Sequence, residues 1–503
     1  MTSEGHPGAT RVRSDPVVTP APPIPLADVV AAVDDAEVRG DAVLVSDASF
    51  DTRDVSPGSL FFCIPGATVD GHDLAGRAVE AGAAALVVER WLDVAAPQVL
   101  VPSVRAAMGP MSAALFGHPA ETLTTVGITG TNGKTTTTFL LESILRAAGS
   151  TPGVIGTTGA RVAGVPLPLA RTTPEAPDLH RLLASMRDRG VATVAIEVSS
   201  HALAQERVGG MRFDVVAFTN LSQDHLDFHA DMESYFRAKA SLFTPERAAR
   251  SAIGIDDDHG RRLLAETSIP RLTYGRSPDA DVRATDVEVD ASGIRFRVGG
   301  MVFASPLRGS FNVDNCLCAV AVARLIGIDD EVAARGIAEL AGVPGRLEPV
   351  EAGQDFLVVV DYAHTPDSIQ TVLAAARDVA SGRVIVVFGC GGDRDRAKRP
   401  LMGAASTSAA DLTVLTSDNP RSEDPLAIIA EIEAGAREGG GPYLVEPDRR
   451  AAIRAAIRAA SGGDVVVIAG KGHEQGQAFA DRTLPFDDRS VAADELRAAG
   501  EER

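Results

Sequence analysis

Three groups of residues in this chain of 503 have types and spacings suited to chemistry. The sharpest is Thr129-Gly130-Thr131-Asn132-Gly133-Lys134-Thr135, between the apolar run Leu123–Thr129 and a helical pattern that starts near Lys134. Glycines let several backbone N–H groups converge on phosphate oxygens at a helix N-terminus, where the dipole favours an anion. Lys134 would add a full charge near the β- and γ-phosphates, and the Thr135 hydroxyl suits Mg²⁺. The spacing departs from the general GxxxxGK(S/T) pattern, because Ile128 occupies the first glycine position. A second group is formed by two strand ends, Glu197-Val198-Ser199-Ser200-His201 and Thr219–His229. Glu197 and His225 would reach the same sheet edge as Thr135 and serve as metal ligands. Lys239, in the amphipathic stretch Tyr235–Phe243, reads from its pattern alone as a snorkelling surface lysine.

The third group lies nearer the carboxyl end. Asp361–Pro366, Gly389–Asp395, Ser417–Arg421 and Gly470–Glu474 each follow a short apolar run directly. Four strand ends therefore present polar tips along one edge of one sheet. Arg394 and Arg421 can take carboxylates in bidentate fashion, and Glu474 can take an ammonium group. A ligand carrying both is an amino acid. Beside an ATP site, such a ligand points to ATP-driven joining of an amino acid to an acid.

The elements that must position these groups fall into three blocks. In the first, strands are predicted at Ser59–Ile64, Ala84–Glu89 and Gln98–Pro102, with a helix over Asp73–Ala83. The second holds the strands Leu123–Thr129, Val191–Glu197 and Asp214–Thr219 and a helix from Lys134 to Ala148. Such near-continuous apolar strands separated by helices signal a parallel sheet covered on both faces. Asp281–Phe303 alternates apolar and polar residues and reads as antiparallel hairpins at the edge. After the hinge Gly342–Gly345 come strands at Phe356–Val360, Arg383–Phe388, Asp411–Thr416 and Asp464–Ala469. The fold class is therefore α/β in three domains: residues 26–121, a central ATPase with a parallel sheet over 122–344, and a Rossmann-like doubly wound sheet over 345–503. Residues 1–25, rich in Pro, Thr and Ser, are expected to form a disordered leader.

Composition sets the outer bounds. The formal charge of −20 argues against a general nucleic-acid binder, since phosphate neutralisation needs a basic face. No run of about 18 apolar residues predicts a membrane span. The scattered Cys63, Cys316, Cys318 and Cys390 read as buried free thiols of a reduced, cytoplasmic protein. A monomer is expected.

TGTNGKTTT, EVSSHAL, TNLSQDHLDFH, YFRAKASLF, GSFNVDNCLCA, PGRLE, VDYAHTPD, FGCGGDRD, TSDNPR and GKGHE occur in the order seen in Mur ligases, from about Phe50 to Glu474. The chain thus closely resembles that family, and in particular its members that add the third peptide residue. The resemblance implies an N-terminal domain gripping a UDP moiety, a central ATPase and a C-terminal domain bringing an amino acid. It implies that ATP converts the free glutamyl carboxylate of UDP-N-acetylmuramoyl-L-alanyl-D-glutamate to an acyl phosphate, which an amine then attacks. Carried over to this sequence, Gly130, Thr131, Asn132, Gly133, Lys134, Thr135 and Thr136 would bind phosphate, with Asn315, Arg346 and Asp361 around the nucleotide. Thr135, Glu197 and His225 would hold Mg²⁺. Lys239 would be a carbamylated lysine (N6-carboxylysine) completing the metal set, and Lys134, Glu197, His225 and Lys239 would be catalytic. Thr172, Thr173, Ser199, Gln205 and Arg207 would hold the muramoyl peptide, with Phe50, Thr52, Ala67, Thr68 and Val69 in the uridine region. Arg394, Asp418, Asn419, Pro420, Arg421, Gly470 and Glu474 would receive meso-diaminopimelate. A folylpolyglutamate synthase-like ligase shares the ATPase core but leaves the first block and the DNPR motif without a role. A phosphate-loop switch protein would turn over nucleotide with no amino acid present.

Overall fold

The computed structural model describes Val18 and residues 21–66, 69–226, 228–290 and 292–502. Three sheets carry the molecule, drawn from residues 37–100, 124–305 and 348–469. In the first, Asp47–Ser49, Ser59–Phe62, Ala83–Val88 and Gln98–Leu100 run parallel, and Glu37–Arg39 pairs antiparallel at the edge. The whole of Ser59–Phe62 is buried, as is most of Ala83–Val88 beside it.

The second sheet has eleven strands. Its centre is Thr124–Thr129, parallel to Thr193–Glu197 on one side and Phe213–Phe218 on the other. Pro152–Gly156 extends it in one direction, and Ala248–Gly254 and Arg271–Gly275 in the other. Helices Lys134–Ala147 and Phe311–Leu325 cover one face and Ala176–Asp188 packs in the core on the other. The expected hairpins appear as Val282–Asp290, Gly293–Val298 and Met301–Ser305, all antiparallel. Their burial alternates along Val282–Asp290, the two-residue period of a half-buried strand.

In the third sheet Leu357–Asp361, Val465–Ala469, Val384–Phe388, Leu412–Leu415 and Tyr443–Val445 are parallel neighbours in that order. Val465–Ala469 sits centrally although it comes last in sequence, so the chain crosses over and leaves a crevice beyond the carboxyl ends of the strands.

Two expectations change. The leader was expected to run to Pro25, but Ile24–Pro25 pair with Leu44–Val45, and Leu26 and Val29 are buried in the first core. Val18 and Ala21 also pack against the cores, and residues 1–17, 19 and 20 lie outside the described residues. The helix expected over Asp73–Ala83 is a 3₁₀ turn, Gly71–Leu74, followed by a short helix, Ala75–Glu80. Gly82, at φ +107, ends the segment and leads into Ala83–Val88. All four cysteines are free and buried. Among the described residues no helix is long and apolar enough to cross a membrane.

Candidate active site

The turn after Thr124–Thr129 depends on two glycines. Gly130 has φ +142, and a β-carbon there would lie 1.9 Å from Thr219 Oγ1. Gly133 has φ +87, and its β-carbon would meet Asn315 Oδ1 at 2.2 Å. Asn132 N–H donates to Asn220 Oδ1 at 2.9 Å, and Thr219 Oγ1 donates to Asn132 O at 2.6 Å. The neighbouring strand end thus holds the loop open in front of helix Lys134–Ala147. Lys134 Nζ turns back onto Gly130 O and Thr131 O, at 2.9 and 2.8 Å. Burial pulls its pKa down, Arg346 adds to that, and Glu197 and Asp224 oppose it.

Glu197 ends the strand beside this loop and is almost wholly buried. It accepts from Thr135 Oγ1 at 3.0 Å, Thr157 N–H at 3.0 Å and Thr157 Oγ1 at 2.9 Å. The carboxylate needs Gly156 beside it, because a β-carbon there would lie 2.1 Å from Glu197 Oε1. Carboxylate and hydroxyl together make a hard-oxygen donor set that fits Mg²⁺. Arg346 Nη2 donates to the same Thr135 hydroxyl at 3.2 Å, and its guanidinium lies over the Tyr362 ring.

These residues share one cavity of about 480 Å³ between the second and third sheets. Of the residues expected at the nucleotide, metal or muramoyl-peptide site, Thr131–Thr136, Thr172, Glu197, Ser199, His225, Asn315, Arg346 and Asp361 line it. Asp361 accepts one backbone amide on each oxygen, from Leu347 and Ala363. His225 adopts φ +56, and its Nε2 lies 3.4 Å from Asp224 Oδ2. Burial outweighs Asp224 and pulls the imidazole's pKa down. Among the described residues no cluster of three or more His, Cys, Asp or Glu is poised around a metal, so a metal here would rest on the hydroxyl and carboxylate as well.

Lys239 departs from its pattern. It is 1% exposed, not a surface lysine. Its Nζ donates to Gly130 O at 2.8 Å, the same carbonyl that Lys134 uses, and lies 4.4 Å from the centre of the Tyr235 ring. Burial, with Lys134 close by, pulls its pKa well below the ordinary lysine range, against Asp224. Tyr235, Phe236 and Lys239 are the buried residues of this helix, so the lysine shares its apolar face, and the Gly130 carbonyl meets its ammonium there.

The other expected groups form two further sets. Thr173 Oγ1 donates to Glu197 O at 2.7 Å, and Arg207 Nη1 donates to Thr173 O at 3.1 Å. Arg207 Nη2 also reaches Gln205 Oε1 at 2.6 Å, so these residues back the cavity from behind Glu197. Phe50 packs on the first core, with Thr52 in the following loop and Val69 exposed. Ala67 and Thr68 lie outside the described residues.

At the third sheet, Arg394 and Arg421 flank Gly391, whose β-carbon would lie 2.8 Å from Arg421 Nη1 and 3.8 Å from Arg394 Cγ. Arg421 Nη1 donates to Gly392 O, and Arg394 is exposed at the rim. Asp418, Asn419 and Pro420 are buried. Asp418 Oδ1 accepts from Asn419 N–H, whereas buried Oδ2 has no hydrogen-bond partner among the described residues and lies where a β-carbon on Gly470 would be 2.7 Å away. Asn419 Nδ2 donates to Glu474 Oε2 at 2.8 Å. An acceptor without a donor beside a carboxylate, with guanidinium groups across from them, is the polarity of a zwitterion site.

Sequence reasoning missed Thr157, Asp224 and Lys471, all of which contact the expected residues. Thr157 follows a strand whose burial shows no polar edge, so nothing local marked it. Asp224 sits next to His225 in a motif already noted, and that adjacency was the available signal.

Models of the Mur ligase family catalytic domain, the Mur ligase middle domain and the Mur ligase glutamate ligase domain match residues 47–115, 128–323 and 345–472. A UDP-N-acetylmuramoyl-L-alanyl-D-glutamate--2,6-diaminopimelate ligase of Streptomyces avermitilis is 47% identical, covering 94% of this chain and 96% of the relative. One of Geobacillus thermodenitrificans is 48% identical, covering 90% and 94%. A solved structure of a ligase with the same name superposes with TM-score 0.68 at 32% identity, covering 95% of this chain and 99% of that one. MurF from Acinetobacter baumannii, at 18% identity and TM-score 0.66, shares the fold.

Proposed function

Since the chain belongs to the Mur ligase family, we propose that it joins meso-2,6-diaminopimelate to the glutamyl carboxylate of UDP-N-acetylmuramoyl-L-alanyl-D-glutamate, with ATP cleaved to ADP and phosphate. The observation that carries this reading is the 47% identity over nearly the whole chain to a ligase of that name, since it spans both the phosphate loop and the strand ends of the third sheet. The product is a precursor of peptidoglycan, made in the cytoplasm by a monomer.

A carboxylate is a poor electrophile, so the glutamyl group is first phosphorylated and phosphate then leaves. Gly130–Thr136 would cradle the triphosphate, and Lys134 would release its two carbonyls to meet it. Asn315, Arg346 and Asp361 would bound the nucleotide. Thr135 and Glu197, with His225, would hold Mg²⁺, which offsets the repulsion between anionic reactants. Thr172, Thr173, Ser199, Gln205 and Arg207 would orient the muramoyl peptide, while Phe50, Thr52 and the loop Ala67–Val69 would grip uridine. A neutral amine at Lys239 is what CO₂ requires, so the depressed pKa supports an N6-carboxylysine completing the metal set. At the third sheet, Asp418 Oδ2 and Glu474, beside Gly470, would take the substrate's distal ammonium. Arg421, with Arg394, Asn419 and Pro420 around it, would take the distal carboxylate. Lysine lacks that carboxylate and would leave a guanidinium unpaired, which favours diaminopimelate.

Phosphate release should require all three reactants, and a competition assay with the purified protein should incorporate diaminopimelate in large excess over lysine. Equal turnover with neither muramoyl dipeptide nucleotide nor amino acid present would replace this reading with a nucleotide switch.

A further inference from the structure

Lys471 directly follows the central strand Val465–Ala469 and Gly470 of the third sheet, and its side chain is wholly buried. A lysine this deep needs partners, and it has two: Nζ donates to Asn419 Oδ1 at 3.0 Å and to Glu474 Oε2 at 3.1 Å. Asn419 Oδ1 also accepts from the Ala478 backbone N–H at 2.9 Å. Two donors on one atom can be met only by the amide oxygen, so the Asn419 side chain is fixed in one of its two orientations. Its nitrogen is thereby turned to Glu474 Oε2, at 2.8 Å, with a second N–H left for a ligand. On the neighbouring residue the arrangement is the opposite. Asp418 offers a buried acceptor, Oδ2, with no hydrogen-bond partner among the described residues.

From this triangle we infer that Lys471 is a positioning residue for amino-acid selection: it locks Asn419 as a donor and Glu474 in place. The site then shows a donor at position 419 and acceptors at 418 and 474. Without the ammonium, the amide oxygen keeps one backbone N–H alone and the nitrogen keeps only a Glu474 that is itself released, so the amide can turn its oxygen toward the ligand's carboxylate. Glu474, a quarter exposed, would swing into water. The inference rests on the amino-acid site proposed above, and adds to it a residue that need not touch the amino acid.

The test measures KM for each of the three substrates, with kcat, in wild type, Lys471→Met and Asn419→Asp. Methionine keeps the buried length without the charge. Aspartate keeps the pairing with Lys471 but puts an acceptor where the donor was. Both variants should raise the amino-acid KM by about tenfold or more, the scale of a lost charge-assisted hydrogen bond, while KM for ATP and for the muramoyl dipeptide nucleotide stay within about twofold. An unchanged amino-acid KM in Lys471→Met, or a rise in all three KM values together, overturns the inference. Should Lys471→Met not fold, Asn419→Asp decides alone: an unchanged amino-acid KM there overturns it. A wild type that turns over lysine as well as diaminopimelate would defeat the proposed substrate, and the same measurements with the amino acid it does use would still judge Lys471.

Discussion

At the scale of single residues, burial changes what a side chain can do. Lys239 and Lys134 point at one carbonyl, Gly130 O, and two ammonium groups so placed disfavour one another. Replacing Lys239 by alanine is expected to lower kcat by roughly 10²-fold, with partial recovery on adding short carboxylates that stand in for the carbamate. A fully active variant would remove the carbamate. Arg421 is held at φ +52 with its amide on Ala478 O and its guanidinium beside Gly391. Arg421→Ala should raise the diaminopimelate KM by roughly 30-fold or more, the scale of an unpaired charge at about 2–5 kcal/mol, while leaving the KM for ATP nearly intact. The sequence made Arg421 legible because a charge abuts an apolar strand. Lys239 was read through resemblance, although it lies on the same helix face as the buried Tyr235 and Phe236; the carbonyl that meets its ammonium comes from more than a hundred residues away.

At the scale of elements, the central strands of the second and third sheets were legible, because a parallel strand buried on both faces is a short apolar run ended by polar residues. Leu412–Leu415 and Val465–Ala469 illustrate this. Among the strands that escaped are Ala248–Gly254, Arg271–Gly275 and Tyr443–Val445 on the flanks of their sheets, and Pro152–Gly156, whose glycines and proline hide a strand that must lie close to Met186 and Glu197. The phosphate turn is the element most exposed to substitution. Gly130→Ala sets a β-carbon against Thr219 at a φ that alanine resists, so ATP binding should be lost while the fold survives. Equilibrium binding of a fluorescent nucleotide, with circular dichroism as control, checks this, and undiminished affinity would contradict it.

At the scale of the whole molecule, charged side chains tie the first sheet to the second. Arg181, 4% exposed on its side chain, donates to Asp47 Oδ1 and Ala48 O and pairs with Asp178. Glu175 gathers Arg105 and Arg207. Asp47→Ala leaves Arg181 short of one partner and should destabilise the protein by about 1–3 kcal/mol, read as a lower urea midpoint. His180, wholly buried in the same helix, has Nε2 within 2.9 Å of Gly209 O, and burial pulls its pKa down to about 4. Unfolded, the imidazole takes up a proton near pH 6.5, so below that value the unfolded state binds more protons and stability falls as the pH drops to about 4. That loss is about 3 kcal/mol, and His180→Gln should remove it from the pH dependence of the urea midpoint. An identical slope in the variant would refute this.

The sequence by itself determined the three alternating blocks, the phosphate turn and the polar strand ends, because each follows from local periodicity and from residues next to one another in the chain. Only the tertiary structure decided that Lys239 is buried, that Thr157 supports Glu197 and that Lys471 clamps Asn419. Those facts depend on segments distant in sequence meeting at the sheet edges, and whether a side chain is desolvated is a property of what folds over it.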